Sequence, residues 1–169
     1  MAKSPLFHLA LFEPEIAPNT GNAARISAAY EVPLHIVGEP AFGMSDKALR
    51  RAGLDYWDAV QLFRQASVWH LLESAGNRRL VAVTTQGETA LSQFTFQPDD
   101  VLAFGSESRG LPPEIHRDFG AARLRIDQPG PIRSLNLATA VGIVAWEAWR
   151  QLSAPNRQDQ ASASDPDSR

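Results

Sequence analysis

Six short, unbroken apolar runs separated by helical patterns constrain the fold of this chain more than any other feature. Buried parallel strands have this character because helices cover both faces of their sheet. The runs predicted as strands are Phe7–Phe12, Pro33–Val37, Val60–Phe63, Leu80–Thr84, Val101–Phe104 and Leu124–Ile126. Helical patterns lie between and after them, at Thr20–Tyr30, Asp46–Ala52, Val68–Ser74, Pro113–Phe119 and Leu135–Leu152. This order predicts an α/β fold with a mostly parallel sheet flanked by helices.

Length and composition set the class of protein. With 169 residues, of which 44% are hydrophobic, the chain is long enough for one domain with its own core. We expect residues 1–152 to form this domain and residues 153–169 to form a disordered polar tail, because the tail lacks apolar periodicity. The absence of cysteine excludes disulfides, thiolate catalysis and cysteine-ligated metal sites. The four histidines are scattered, so no metal site is predicted.

Net charge and hydropathy narrow the partners and the location. A formal net charge of -3 argues against a protein that coats nucleic acid nonspecifically, although basic residues cluster locally. No apolar run approaches the roughly 20 residues needed to cross a bilayer, and the first five residues lack the apolar segment of a secretion signal. We therefore expect a cytoplasmic protein with no membrane partner.

Three polar blocks, each beside or between apolar runs, are the candidate functional loops. We call them motif 1 (Asn19–Arg25), motif 2 (Phe104–Pro112) and motif 3 (Arg133–Ala138). Ligands of open α/β sheets bind at the carboxyl ends of the strands, so the three motifs predict one composite site. Arg109 and Arg133 lie inside these blocks and indicate a substrate with phosphate or carboxylate groups.

Motif 2 does not match the commoner catalytic loops. The spacing of Gly105 and Gly110 is that of a P-loop, but Leu111 and Pro112 stand where a P-loop has lysine and a hydroxyl residue. The motif is not a nucleophile elbow. No G-x-G-x-x-G follows a predicted strand, so neither a dinucleotide dehydrogenase nor a Rossmann-type methyltransferase is supported. The two glycines instead let backbone groups approach a flat ligand closely.

Arg25 is distinguished within motif 1 by its position on the predicted helix. By the helical period it lies roughly opposite the apolar face Ala23–Ile26–Tyr30. We therefore expect Arg25 to face away from the core, toward whatever the strand ends hold. Asn19 and Asn22 stand at the start of this helix, where capping is an alternative explanation for them.

The final helix is apolar on two sides. One predicted stripe is formed by Leu135, Ala138, Val141, Ala145, Trp149 and Leu152, and a second by Leu137, Ala140, Val144 and Trp146. Only one side can face the sheet of a single-domain chain, so the other is predicted to face a second copy. A thick core contact is the alternative, but two tryptophans are large side chains to leave exposed.

These residues resemble a known family. The chain is similar to the SPOUT superfamily of RNA methyltransferases in its SpoU (2′-O-ribose) branch, and most narrowly to the short tRNA wobble-nucleotide (cytidine/uridine) 2′-O-methyltransferases. The likeness runs from about Leu6 to Leu152. It is carried by Leu11–Asn22, Leu49–Tyr56, Gly105–Pro112, Arg133–Ala140 and Trp146–Trp149.

The resemblance implies a specific fold, cofactor and assembly. It implies a C-terminal trefoil knot that binds S-adenosyl-L-methionine, a homodimer, and tRNA as the substrate. Carried over by position, the cofactor contacts are Val83, Gly105, Ile126, Ser134 and Leu135. The catalytic set is Arg25 with Asn19 and Asn22. The candidates for RNA contact are Arg50, Arg51, Tyr56, Glu107, Arg109 and Arg133, although a solvated helix face explains Arg50 and Arg51 equally well.

The same resemblance leaves the role of Arg25 and the exact substrate open. A guanidinium remains a cation at neutral pH, so we expect Arg25 to orient an RNA phosphate and stabilise developing alkoxide charge rather than act as a base. Methylation of another tRNA or rRNA site, or a non-catalytic RNA-binding assembly factor, are the alternatives. Two departures from the family pattern are Asp127-Gln128, where relatives usually have Pro-Met, and Trp146, where tyrosine is usual.

Overall fold

The core of the molecule is one seven-stranded sheet in which every pair of neighbouring strands is parallel. The computed structural model describes residues 4–43, 56–76, 78–117 and 121–154. Its strands are β1 (Phe7–Phe12), β2 (Leu34–Val37), β3 (Leu62–Gln65), β4 (Leu80–Val83), β5 (Thr89–Ala90), β6 (Asp100–Phe104) and β7 (Ala122–Arg125). The sheet order is β3-β2-β1-β6-β4-β7-β5. The prediction of a mostly parallel α/β sheet is confirmed.

Helices cover both faces of this sheet, as the unbroken apolar strands require. They are α1 (Ala17–Tyr30), α2 (Val68–Ala75), α3 (Pro113–Arg117) and α4 (Leu137–Ser153). On one face α1 and α4 pack over the inward side chains of β1, Phe7, Leu9 and Leu11. On the opposite face α2 and α3 cover Ala10 and Phe12. Strand β1 is therefore buried along its whole length.

The element boundaries differ from the predicted ones where polar residues join strands or short turns intervene. Strand β3 begins two residues late because a 3-10 turn at Trp57–Ala59 ends on Val60. Strand β7 begins two residues earlier than predicted, at Ala122, because Arg123, which the apolar pattern left out, pairs with Glu88 and so fits a strand despite its charge. The two-residue strand β5 was not predicted. The predicted helix Asp46–Ala52 and the tail from residue 155 onward lie outside the described residues.

The long C-terminal helix α4 has a different outer face from the one its sequence predicts. Val144 and Ala145, assigned to separate stripes, are both fully buried, so α4 has one wide inner face. The exposed apolar side chains are Ile143, Trp146 and Trp149, which are 37%, 51% and 40% exposed. Within the described part of the chain, no helix is long and apolar enough to cross a membrane.

A buried ion pair fixes the start of β6. Asp100 is fully buried and accepts hydrogen bonds from Arg79 Nε at 2.8 Å and Arg79 Nη2 at 2.7 Å. The backbone N–H of Gln97 donates to the same carboxylate at 2.8 Å. The guanidinium of Arg79 also lies 5.2 Å from the ring centroid of Phe94. The charge of Asp100 is therefore matched by donors on several sides, as a buried carboxylate requires.

Two buried histidines meet between β1 and β2. His8 Nδ1 lies 3.2 Å from His35 Nε2, and the His35 ring stacks on Phe63 at 5.2 Å between centroids. Burial, followed by the charges of His8 and Arg78, lowers the pKa of His35 to about 4. Burial also lowers the pKa of His8, against the opposing effect of Asp99. Both rings are therefore neutral at pH 7.

Candidate active site at the carboxyl edge of the sheet

A cavity of about 780 Å³ opens at the carboxyl ends of β4, β6 and β7. Most of motif 2 and most of motif 3 line it together with Asn19 of motif 1, so the predicted composite site exists as one place in the structure. All five residues expected to contact a cofactor line this cavity: Val83, Gly105, Ile126, Ser134 and Leu135. Three residues expected to contact RNA line it as well: Glu107, Arg109 and Arg133.

Motif 2 is a loop closed on itself. Ser106 N–H donates to the Gly110 carbonyl at 3.2 Å, and Gly110 N–H donates to the Ser106 carbonyl at 2.9 Å. A Cβ at Gly105 would overlap the backbone of Gly110 and Leu111, and Gly110 has a φ of +71°. Glycine is thus required at both positions by the loop itself. This differs from the expected reason, which was close approach to a ligand.

The Glu107 carboxylate ties motif 2 to the start of α1. It accepts hydrogen bonds from Glu15 N–H at 2.8 Å, from Ile16 N–H at 3.2 Å and from Asn19 Nδ2 at 2.9 Å. Partial burial raises the pKa of Glu107, but the bonds from Asn19 and the backbone outweigh it and leave this pKa below its ordinary value. Glu107, expected to contact RNA, is engaged by the protein as an ionised acceptor.

Asn19 continues this connection to motif 3. Asn136 Nδ2 donates to Asn19 Oδ1 at 2.9 Å, while Asn136 Oδ1 caps α4 by accepting from Ala138 N–H at 2.9 Å and Thr139 N–H at 3.2 Å. The chain Glu107–Asn19–Asn136 therefore joins all three motifs. Asn136 was not predicted as a site residue, although an asparagine directly before an apolar helix is a recognisable N-cap signal.

Two acidic residues that follow β1 complete the contact between the loops. Glu15 accepts from Ser108 N–H at 3.0 Å and from Ser108 Oγ at 2.6 Å. Arg109 pairs with Glu13 at 2.8 Å while its side chain remains 68% exposed. Neither glutamate was predicted as a site residue, because no local pattern distinguishes them from solvated acidic residues. Together with Glu107 they form a reciprocal clamp between the loop after β1 and motif 2.

Arg25 is exposed, as predicted, but it does not point into the cavity. Its guanidinium carbon lies 4.8 Å from the ring centroid of Tyr56, and Tyr56 Oη donates to the Gly21 carbonyl at 2.7 Å. Arg25, Asn22 and Tyr56 are absent from the described lining of the cavity. The buried side of α1 is also shifted from the predicted face, because Ala24 and Ser27 are fully buried whereas Ile26 and Tyr30 are only partly so. Arg50 and Arg51 lie outside the described residues.

Of the two residues that depart from the family pattern, Gln128 lines the cavity and Asp127 does not. The Asp127 carboxylate accepts from Ser92 Oγ at 3.0 Å and lies 3.9 Å from Arg125 Nε. Gln128 lines the cavity, and its Oε1 atom is buried without a hydrogen-bond partner in the described structure. The cavity therefore combines apolar side chains with backbone from a closed glycine loop. A cavity of this size and mixed lining fits a small-molecule ligand.

Comparison with known sequences identifies the family. A sequence profile described as "SpoU rRNA Methylase family" matches residues 6–146, which is most of the chain. The chain belongs to this SpoU methylase family. The resemblance drawn from the motifs is thereby confirmed.

Two relatives and two solved SpoU-type structures are informative. A tRNA (cytidine(34)-2'-O)-methyltransferase from Polaromonas is 47% identical over 86% of this chain and 91% of its own. Its Escherichia coli counterpart is 43% identical over 89% and 96%. A structure concerning the 2-OH methylation of C/U34 on tRNA superposes with a TM-score of 0.82 at 46% identity, covering 88% of this chain and 97% of that one. An AdoMet-bound rRNA methyltransferase from Sinorhizobium meliloti gives 0.75 at 29% identity, covering 89% and 58%.

Proposed function

We propose that this protein is an S-adenosyl-L-methionine-dependent tRNA 2′-O-ribose methyltransferase that acts on the wobble cytidine or uridine of the anticodon. The observation that carries the proposal is the meeting of motifs 2 and 3 with Asn19 of motif 1 around one cavity. The Polaromonas and Escherichia coli relatives support this proposal, because each aligns with this chain over most of both sequences. The overall reaction breaks the bond between the methyl carbon and the sulfonium sulfur, forms a bond from that carbon to the ribose 2′-oxygen, releases S-adenosylhomocysteine and transfers the hydroxyl proton to an acceptor.

The cofactor would be held by the apolar and backbone lining of the cavity. Val83, Ile126 and Leu135 supply apolar surface, while Gly105 and Ser134 supply backbone and hydroxyl groups at the strand ends. When bound, the cofactor supplies an activated methyl group on a sulfonium. The chain itself has to place the ribose hydroxyl in line with that methyl group and exclude water, and it does so with motif loops held rigid by the Glu107–Asn19–Asn136 connection.

Arg25 is proposed as the cation that acts on the RNA. It is exposed on α1, outside the cavity lined by Asn19 of the same helix, so RNA lying across the cavity mouth would bridge the two. We infer that its planar guanidinium orients a phosphate and stabilises charge developing on the 2′-oxygen. Arg25→Lys is expected to keep only part of the rate, since an ammonium does not reproduce the planar fork.

The remaining RNA surface is proposed from charge and exposure. Arg109 and Arg133 are exposed and line the cavity, where they suit backbone phosphates near the target nucleotide. Arg50 and Arg51 stay candidates from the sequence. An anticodon loop suits such a surface, because unpaired bases are the part of RNA that proteins read by sequence.

Methyl transfer to defined tRNA transcripts tests the proposed function. Transcripts with cytidine or uridine at the wobble position should accept labelled methyl groups, and the same transcripts with a 2′-deoxy wobble nucleotide should not. Arg25→Ala should lose most of the rate while tRNA binding persists. Incorporation that survives the 2′-deoxy substitution would indicate another site, and binding without incorporation would indicate an assembly factor.

We also propose that the protein is a homodimer formed through the outer face of α4. Trp146 and Trp149 are about half exposed there, beside Ile143, and Trp149 lies 5.8 Å from the ring of Tyr30 on α1. Exposed apolar patches mark interaction sites, and a two-fold dimer is the commonest assembly that covers the same patch on both copies. Trp146→Glu should give monomers in light scattering, whereas Trp69→Glu, on the separate helix α2, should not. A monomeric wild-type protein at micromolar concentration would contradict this.

Three further properties follow from family membership and substrate. The C-terminal part of the domain is proposed to form the trefoil knot of SPOUT proteins. Residues 1–152 are proposed as the catalytic domain and 153–169 as a polar tail. A cytoplasmic location is proposed because that is where tRNA is matured and used.

A further inference from the structure

One apolar residue at the mouth of the cavity lies outside both sides of the packed core. Ile16, the residue directly before α1, is 46% exposed and lines the cavity. Its N–H donates to the Glu107 carboxylate at 3.2 Å, and its carbonyl accepts from Asn19 N–H at 3.0 Å. Since both backbone groups of Ile16 are used within the protein, the residue presents its aliphatic side chain to the cavity and to solvent.

The fold alone does not favour an isoleucine at this position. Ile16 is the N-cap residue of α1, with an extended backbone, and its side chain makes no capping hydrogen bond. Serine, threonine, asparagine and aspartate are preferred at an N-cap, because their oxygen accepts from a free N–H of the first helical turn. Residues that break such a local rule without a gain in packing are expected at functional sites. The exposed side chain of Ile16 is therefore best explained by a ligand that covers it.

The rest of the lining indicates which ligand reaches this side chain. Val83 and Ile126, expected to contact the cofactor, are only partly exposed, whereas Ile16 is exposed at the cavity mouth. The exposed Arg109 and Arg133 line the same cavity and suit the phosphates of an RNA that approaches from solvent. A base that leaves its stack in an RNA loop is stabilised by an apolar side chain that replaces its lost neighbour.

We propose that the side chain of Ile16 packs against the base of the nucleotide that receives the methyl group. This proposal rests on the proposed function, because it assumes that RNA enters this cavity. Aliphatic contact with the face of a base does not depend on its hydrogen-bonding groups. Such a contact therefore holds cytosine and uracil equally well, as a site for either wobble pyrimidine requires.

The role predicts effects of opposite sign for Ile16→Ser. Affinity for a substrate tRNA, measured by fluorescence anisotropy with saturating S-adenosylhomocysteine, should fall about three- to tenfold because the apolar contact is lost. The melting temperature of the free protein should rise by about 2–4 °C, because serine caps α1. Affinity for S-adenosylhomocysteine alone should stay unchanged in calorimetry. Trp69→Ala, which removes an exposed apolar side chain on α2 outside the cavity lining, is the control and should keep the tRNA affinity.

A tRNA without the target base isolates the proposed contact. Ligation of two synthetic halves gives a tRNA with an abasic ribonucleotide at the wobble position, which keeps the 2′-hydroxyl and both flanking phosphates. The wild-type protein should bind this tRNA at least threefold more weakly than the intact one. The three- to tenfold difference between wild type and Ile16→Ser should disappear on the abasic tRNA.

The outcomes separate this inference from the proposed function. An effect of Ile16→Ser that requires the base supports the inference. An equal loss on intact and abasic tRNA overturns it, and so does unchanged affinity for the intact tRNA. Weaker S-adenosylhomocysteine binding also overturns it, because Ile16 would then contact the cofactor or only support the fold. If the wild-type protein methylates no tRNA that carries a wobble pyrimidine, the proposed function itself fails.

Discussion

Replacing Glu107 tests whether this residue contacts RNA or holds the site together. Glu107→Ala would remove three accepted hydrogen bonds, two from backbone N–H groups and one from Asn19. A hydrogen bond to a charged group contributes about 1.5–3 kcal/mol when buried, and we take about 1 kcal/mol each because this carboxylate is only half-buried. The free energy of unfolding should therefore fall by about 3 kcal/mol, which corresponds to about 6–12 °C in melting temperature.

Urea and thermal denaturation at two pH values provide the measurement. The folded-state pKa of Glu107 is lowered from 4.5, so the carboxylate stabilises the fold above that pH and loses this contribution as the pH falls through the folded-state value. The difference in free energy of unfolding between wild type and Glu107→Ala should thus be largest near pH 7 and should shrink on acidification. The free energy of unfolding of Glu107→Gln should lie between those of wild type and Glu107→Ala, since its amide presents a donor toward one of the three N–H groups.

The competing explanation gives a different pattern. If Glu107 served only to contact RNA, Glu107→Ala would change tRNA affinity and leave the free energy of unfolding unaltered. Glu73→Ala, at an exposed position on α2, is the matched control and should stay within about 0.5 kcal/mol of wild type. Stability of Glu107→Ala equal to that of this control would refute the clamp.

Three other expectations follow from contacts elsewhere in the molecule. Asp100→Ala should lower the free energy of unfolding by about 3–5 kcal/mol in urea titrations, because it leaves the Arg79 guanidinium without its buried partner; a loss below 1 kcal/mol would contradict this. Since the folded-state pKa of His35 is about 4 against 6.5 ordinarily, stability should be full above pH 6.5 and decline by up to about 3 kcal/mol toward pH 4. His35→Gln should flatten that slope, and an unchanged slope would assign it to other groups. Tyr56→Leu removes the ring beside the Arg25 guanidinium and should lower the rate constant of methyl transfer about two- to fivefold in single-turnover assays. Tyr56→Phe keeps the ring and should keep most of this rate, so equal losses in both variants would argue against the ring contact.

The sequence predicted the sheet better than the helix faces. Apolar runs located β1, β2, β4 and β6 almost to the residue. Strands buried on both faces are apolar at nearly every position, so their limits do not depend on an apolar–polar alternation. The stripes on α4 were assigned wrongly, since a helix with one wide buried face fits more than one periodic pattern. Tertiary packing alone decides that Val144 is inside and Ile143 outside.

The site was predictable as a place but not as a set of contacts. The motifs located the cavity, since strand ends in a parallel sheet meet at one edge. The partners of Glu107, and the clamping role of Glu15, depend on loop backbones that no local pattern specifies. Likewise the sequence marked Gln128 as a departure, but only the structure shows that Gln128 lines the cavity while Asp127 accepts a hydrogen bond from Ser92 outside it.

The hydrogen bond from Asn136 to Asn19 also sets an order of events during folding. It joins residues 117 positions apart, and the bond between Asn19 and Glu107 spans 88. The pairing of β1 with β6 closes a loop of similar length, from Phe7 to Asp100, so chain separation does not place the sheet before the cavity. A growing polypeptide can complete its ligand cavity only once α4 is made and its cap docks on α1. Cofactor binding during synthesis would accordingly act as a signal that the last helix is in place.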